Sequence, residues 1–145
     1  MSEIREDSFL PVQRILYALN KARNLLTAEM DITLADTGVS GSQVGALALM
    51  YMGMAHSSVE LSRLLGINSG FVTRLIDRLE TQGLVRRDRN SPDRRVVNLT
   101  LTEAGRIVAA RIAECAPAVL NRRLSGFTEM EFAALYGLLD KLLDE

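Results

Sequence analysis

The stretch Ser57–Gly105, SSVELSRLLGINSGFVTRLIDRLETQGLVRRDRNSPDRRVVNLTLTEAG, decides the fold. Ser57 and Glu60 have the capping-box spacing, in which a hydroxyl and a carboxylate each satisfy a backbone N–H at a helix start. A helix therefore begins near Ser58, with Val59, Leu61, Leu64 and Leu65 expected to face inward, and Gly66 supplies the left-handed residue that closes it. Ile67 buries the turn. Asn68 or Ser69 caps a second helix, whose Phe71, Val72, Leu75, Ile76 and Leu79 recur at the 3.6-residue period. Its opposite face carries Gly70, Thr73, Arg74, Asp77 and Arg78, and Gly83 stops it. Beyond the stop, residues 84–87 and 96–101 are β-branched or apolar enough to pair as antiparallel strands. They frame the loop from Asp88 to Arg95, where Asn90-Ser91-Pro92-Asp93 is strong turn chemistry. Helix, glycine turn, helix, strand, arginine-rich loop and return strand together read as a winged helix-turn-helix.

That order is what double-stranded DNA requires: a helix for the major groove and a cationic hairpin for the backbone and the neighbouring minor groove. Ser69 to Arg74 is the part of the helix suited to base edges. Arg89, Arg94 and Arg95 flank the proline turn, where a guanidinium on a narrow hairpin can enter the most negative groove. Asp93 is close enough in sequence to hold one of them by a charge-assisted pair. The candidate DNA-binding residues are Ser57, Ser58, Ser69, Gly70, Thr73, Arg74, Arg78, Arg86, Arg89, Asp93, Arg94 and Arg95. The duller reading makes these arginines a solvated surface, and seven of them between Arg74 and Arg95 weigh against it.

The formal charge of −1 over 145 residues looks wrong for a polyanion's partner until it is divided by region. Residues 63–95 hold eight arginines against four acids, a local +4 that leaves −5 on the rest. Cationic surface is thus concentrated where the motif lies, and counterion release there drives sequence-independent affinity. The start, MSEIRED, is too acidic for a signal peptide, so the protein is expected to stay in the cytoplasm. Residues 37–59 lack Asp, Glu, Lys and Arg, but their apolar centre, Val44 to Ala55, is too short to span a membrane. A lone cysteine, Cys115, excludes an internal disulfide.

Outside the winged region the sequence reads as helices. Residues 8–35 place Val12, Ile15, Leu16, Leu19, Leu26 and Met30 on one stripe, with Pro11 tolerated in the first turn. Ser40 and Gln43 form a capping box opening a helix that is expected to contain Leu47, Met50 and Met54. Thr102 caps a long helix through Ile107, Ile112 and Val119, with a kink expected at Pro117 and a break at Ser125-Gly126. Thr128 and Glu131 cap one more, rich in leucine. These end helices carry more apolar surface than a small winged core can cover, so a two-fold homodimer is expected. Residues 1–36 and 103–145 are assigned to dimerisation and 40–102 to DNA binding, as one intertwined domain. The alternative is a last helix folded back on its own chain.

LSRLLGINSGFVTRLIDRLETQGLVRR, the wing Asp93-Arg94-Arg95 and Leu101-Thr102-Glu103-Ala104-Gly105 make the chain resemble, over nearly its whole length, the multiple-antibiotic-resistance-regulator (MarR) family of bacterial transcription factors. The resemblance implies a mostly helical dimer with Arg95 in the minor groove, oriented by Asp93. It implies a repressor of a palindromic operator, released by a small phenolic or aromatic acid bound in a cleft between the dimerisation helices and the winged core. Tyr17, Arg23, Met50, Met54 and His56 are the candidate wall of that cleft.

Several residues keep a plainer reading. Met50 and Met54 suit a core stripe as well as a pocket. His56, the single histidine, fits a position beside a helix cap and cannot build a metal site alone. Cys115 reads as a small buried hydrophobe, against a redox-responsive regulator as in the family's peroxide-sensing branch. A winged-helix module that binds protein instead of DNA is the remaining alternative. An enzyme is excluded by the lack of a nucleophile–base signature or a phosphate-cradling loop, and no cofactor is expected.

Overall fold

The computed structural model describes residues 9–89 and 97–144. Among them, six helices and one hairpin follow in the order α1 (Phe9–Thr33), α2 (Gly41–Tyr51), α3 (Ser58–Leu65), α4 (Ser69–Thr81), β1 (Val85–Asp88), β2 (Asn98–Leu101), α5 (Glu103–Leu124) and α6 (Glu129–Leu143). β1 and β2 pair antiparallel with Val85 opposite Leu101 and Asp88 opposite Asn98. The chain is thus a mostly helical winged helix-turn-helix, as the sequence implied.

Local chemistry explains where each element starts. Ser40 with Gln43 and Thr128 with Glu131 form complete capping boxes at α2 and α6. Asn68, not Ser69, caps α4, its Oδ1 accepting the Phe71 N–H at 2.8 Å. At α3 the box is half formed. Ser57 Oγ accepts the Glu60 N–H at 3.2 Å, whereas the Glu60 carboxylate accepts the His56 N–H and the Ser57 hydroxyl.

Two helix ends repeat one device. Gly83 turns left-handed at φ 74°, and the Leu84 N–H then reaches back to the Leu79 carbonyl at 2.9 Å. Both leucines are buried, so the stop is sealed by an apolar contact. Gly53 does the same at φ 71°, where the Met54 N–H donates to the Leu49 carbonyl. This corrects one expectation. α2 ends at Tyr51, and Met54 lies beyond it, 52% exposed, rather than on a stripe with Met50.

The core joins the end of α1 (Met30, Leu34) and α2 (Ala46, Leu47, Met50) to Leu61, the inner face of α4, Val85, Leu99 and the Ala109–Ile112–Val119 face of α5. Three residues expected inside are not: Val59, Phe71 and Leu64, the last 39% exposed on the edge of α3. Val59 is 77% exposed, because it lies about 200° round α3 from the fully buried Leu61. Phe71 is 41% exposed, on the flank of the face formed by Val72, Leu75, Ile76 and Leu79.

One close approach fixes the wing to this core. Thr102 caps α5, its N–H donating to the Leu84 carbonyl at 3.0 Å and its hydroxyl to the Gly83 carbonyl at 2.6 Å. A Cβ on Gly105 would stand 1.9 Å from that Leu84 oxygen, so only glycine permits the contact. α5 continues as a helix through Pro117. α6 has no buried residue.

Candidate nucleic-acid interface

The four buried residues of α4 pin its inner side and leave Ser69, Gly70, Thr73, Arg74, Asp77 and Arg78 exposed on the outer one. The Thr73 hydroxyl donates to the Ser69 carbonyl at 2.9 Å, a local back-bond. The Arg74 guanidinium lies over the Phe71 ring, 5.8 Å from its centroid. Ser57 and Ser58, at the start of α3, are half-buried, and the Ser57 hydroxyl serves as the cap. Arg86 is exposed on β1 and Arg89 just beyond it. Asp93, Arg94 and Arg95 lie outside the described residues.

Arg87 plays a part that sequence reasoning missed. Its guanidinium reaches Asp77 Oδ1 at 2.6 Å and Glu80 Oε1 at 3.0 Å, both on α4, and its backbone N–H donates to Glu80 Oε2. With 15% of its side chain exposed, it braces the wing against the helix. It also offsets the two carboxylates nearest the outer face of α4. The signal was present in the strand alternation, which turns Arg87 to the same side as Val85 and Arg86 to the other.

A second brace is polar, with Gln43 buried and Gln82 exposed. The Gln43 amide, after closing its capping box, donates to Gln82 Oε1 at 2.9 Å, and Gln82 donates on to the Gly38 carbonyl at 2.8 Å. The C-terminal end of α4 is thereby tied to the start of α2. From α5, Arg123 pairs with Glu29 on α1, and Arg111 pairs with Asp36 in the short turn that follows α1. The hydrogen bond from Arg111 holds the Asp36 carboxyl below its ordinary range.

A pocket of about 340 Å³ opens where α2, β2 and α5 meet, lined by Met50, Tyr51, Ala55, His56, Leu99, Thr100, Leu101 and Arg106. The His56 carbonyl accepts the Leu99 N–H at 2.7 Å, which sets the edge of the pocket. Of the five residues assigned to an effector wall, Met50 and His56 come together here. Arg106 and Tyr51, which the sequence did not single out, join them. Tyr17 and Arg23 are exposed on α1, where the Tyr17 hydroxyl accepts from Gln13, and Met54 does not line the pocket. Cys115 is half-buried against the core, its thiol directed at the Ile112 carbonyl at 3.8 Å. Among the described residues, no three of His, Cys, Asp and Glu are grouped to hold a metal, and no helix is long and apolar enough to cross a membrane.

Comparison with known proteins places these features. A model of the MarR family matches residues 37–96. The transcriptional repressor MdtR of Bacillus subtilis (strain 168) is 32% identical over 117 residues, 79% of this chain and 74% of MdtR. The multiple antibiotic resistance protein MarR of Escherichia coli (strain K12) is 28% identical over 138 residues, 94% of each chain. The crystal structure of a mutant of the E. coli protein complexed with operator DNA matches 99% of this chain and 100% of that one, with a TM-score of 0.80 and 26% identity. With sequence likeness running through most of the chain and the same fold found in a protein held on DNA, this chain belongs to the MarR family.

Proposed function

We propose that this chain is a transcriptional repressor, not an enzyme, that binds an inverted-repeat operator as a homodimer in the cytoplasm and is released by a small aromatic acid. One observation carries the DNA-binding part: α4 turns a polar, arginine-bearing face outward while Arg87 holds the hairpin beside it. Ser69, Gly70, Thr73 and Arg74 then read base edges in the major groove. Arg78, Arg86 and Arg89 meet phosphates, and Ser57 and Ser58 bring the start of α3 to the backbone. Asp93, Arg94 and Arg95 are assigned to the hairpin tip in the minor groove. The relatives support this reading, since one is a named repressor and another has been captured on operator DNA.

Dimerisation is supported by α1 and α6, whose Ile15, Leu16, Tyr136, Leu138 and Leu142 are all exposed in the single chain. Residues 1–36 and 103–145 pair two copies, and 40–102 form each reading head. Half-sites then lie about 34–36 Å apart, one helical turn.

The pocket between α2, β2 and α5 is the proposed effector site. Met50, Leu99 and Leu101 offer an apolar wall, and Arg106 with His56 offers the polar end that a carboxylate requires. The site joins a dimerisation helix to the wing strand, so a ligand there favours one spacing of the heads over another. Release follows only if that preference differs between the free and DNA-bound forms.

Footprinting on the DNA flanking the protein's own gene tests this reading. Two protected patches one turn apart, lost when an aromatic acid is added, are expected. No protection at low salt contradicts the DNA-binding reading, and protection that no acid relieves contradicts the effector part.

A further inference from the structure

Phe71 occupies an unusual position. The helical period assigns it to the core, yet the residue is 41% exposed on the first turn of α4, while Val72 beside it is fully buried. Its neighbour Gly70 has no side chain, and a Cβ there would approach only Asn68 Oδ1, at 3.5 Å, so that side of the turn is open. The Arg74 guanidinium, one turn further along the helix, rests over the ring at 5.8 Å. One edge of the outer face of α4 therefore carries an apolar ring and a cationic fork side by side, with Arg78 one turn beyond Arg74.

DNA offers a matching pair of features. In the major groove only thymine presents a methyl group, and guanine presents the O6 and N7 acceptors that a guanidinium takes bidentately. A ring contacting a guanidinium can meet both only if the methyl lies next to the guanine. The cation–π contact also holds Arg74 in place before DNA arrives, which reduces the freedom lost on binding.

Building on the proposed DNA-binding role of α4, we infer that Phe71 is a specificity-determining residue. Its ring takes a thymine methyl adjacent to the guanine read by Arg74, so each half-site contains a thymine beside a guanine.

The test selects duplexes from a random library with the full-length wild type and with Phe71→Ala and Phe71→Leu, then replaces the selected thymine by deoxyuridine, which removes only the methyl. The wild type is expected to enrich a thymine next to a guanine in each half-site and to lose about fourfold in affinity per half-site with deoxyuridine, the effect of one buried methyl-sized group. Phe71→Ala is expected to lose that thymine from its consensus, keep the other positions and ignore deoxyuridine. Phe71→Leu, which keeps an apolar contact and the helix, is expected to retain part of the preference. Thermal melting of each variant checks that its fold is intact. An unchanged consensus with unchanged deoxyuridine sensitivity in Phe71→Ala overturns the inference and leaves DNA binding standing. Failure of the wild type itself to enrich any duplex overturns both.

Discussion

Between α2 and β2 the apolar side chains find partners within one chain: Leu47, Leu61, Ile76, Leu79 and Leu99 are all at 2% exposure or less. Along α6 the reverse holds, since Met130, Phe132, Tyr136, Leu138 and Leu142 are all exposed and no residue of the helix is buried. The head is braced by contacts between elements, Arg87 to α4, Gln43 to Gln82 and Gly105 to Leu84. α6 starts on a complete capping box, and its Phe132, Leu135 and Leu139 line only an open apolar groove against α1 and α5. The difference separates a unit that completes its core alone from helices that do not. Each large apolar side chain of α6 would gain about 1.5–3 kcal/mol on full burial, so a second copy is the natural cover.

Placing charge on the unfinished surface is the harshest way to break the contrast. Leu138→Glu with Leu142→Glu should abolish the proposed dimer and weaken operator binding at least ~100-fold, as about 3 kcal/mol or more of burial is lost. Val59→Glu, in the head but equally exposed, should change stability by no more than about 0.5 kcal/mol and leave the mass in solution unchanged. Light scattering and denaturant titration of the two variants read the comparison.

Within the head, Gly105→Ala forces a methyl against the Leu84 carbonyl and should cost about 1–3 kcal/mol or more in urea unfolding. Neutral behaviour would mean that the wing is not clamped to α5 as described.

A smaller effect separates two adjacent arginines. Arg87→Ala removes a partly screened pair of ion contacts, about 1 kcal/mol or less, and should lower affinity by loosening the wing with little change in salt slope. Arg86→Ala should leave stability unchanged and reduce the salt slope by about 0.9, one phosphate contact. Equal salt slopes in both variants would remove the distinction.

The smallest effect is acid sensitivity at the helix ends. Backbone and hydroxyl hydrogen bonds with Thr128 lower the Glu131 pKa from its ordinary 4.5, and Arg111 lowers that of Asp36 from 3.8. A carboxylate with a depressed folded pKa contributes stability above its unfolded pKa and loses it as pH falls through the folded one. Melting temperature should therefore stay flat through neutral pH and decline below the ordinary carboxylate values. Glu131→Gln should lessen that decline, and an identical profile would assign it elsewhere.

Much of this architecture was legible because its signals are local. Ser40 with Gln43, Thr128 with Glu131, Asn68, Thr102, Gly66 and Gly83 act within one turn of themselves, and the structure uses each as the spacing implied. The exceptions are also physical. Periodicity marks a face but not its edges, so Leu64 and Phe71 were counted inside although they fall on flanks, and Val59 although it lies on the opposite side of α3. The stop at Gly53 was overlooked because Met50 and Met54 share helical spacing, which made the stripe look continuous. Arg87 was grouped with the other arginines because its partners lie seven and ten residues away on another element. The pocket wall was half legible: Met50 and His56 come from one segment, whereas Arg106 reaches it only through the packing of α5.

Sedimentation of the wild type at micromolar concentration, alone and with one selected duplex, examines the division between a finished head and unfinished terminal helices. A particle of two chains that binds a single duplex without dissociating is predicted. A stable, folded single chain that occupies one half-site at a time would contradict it.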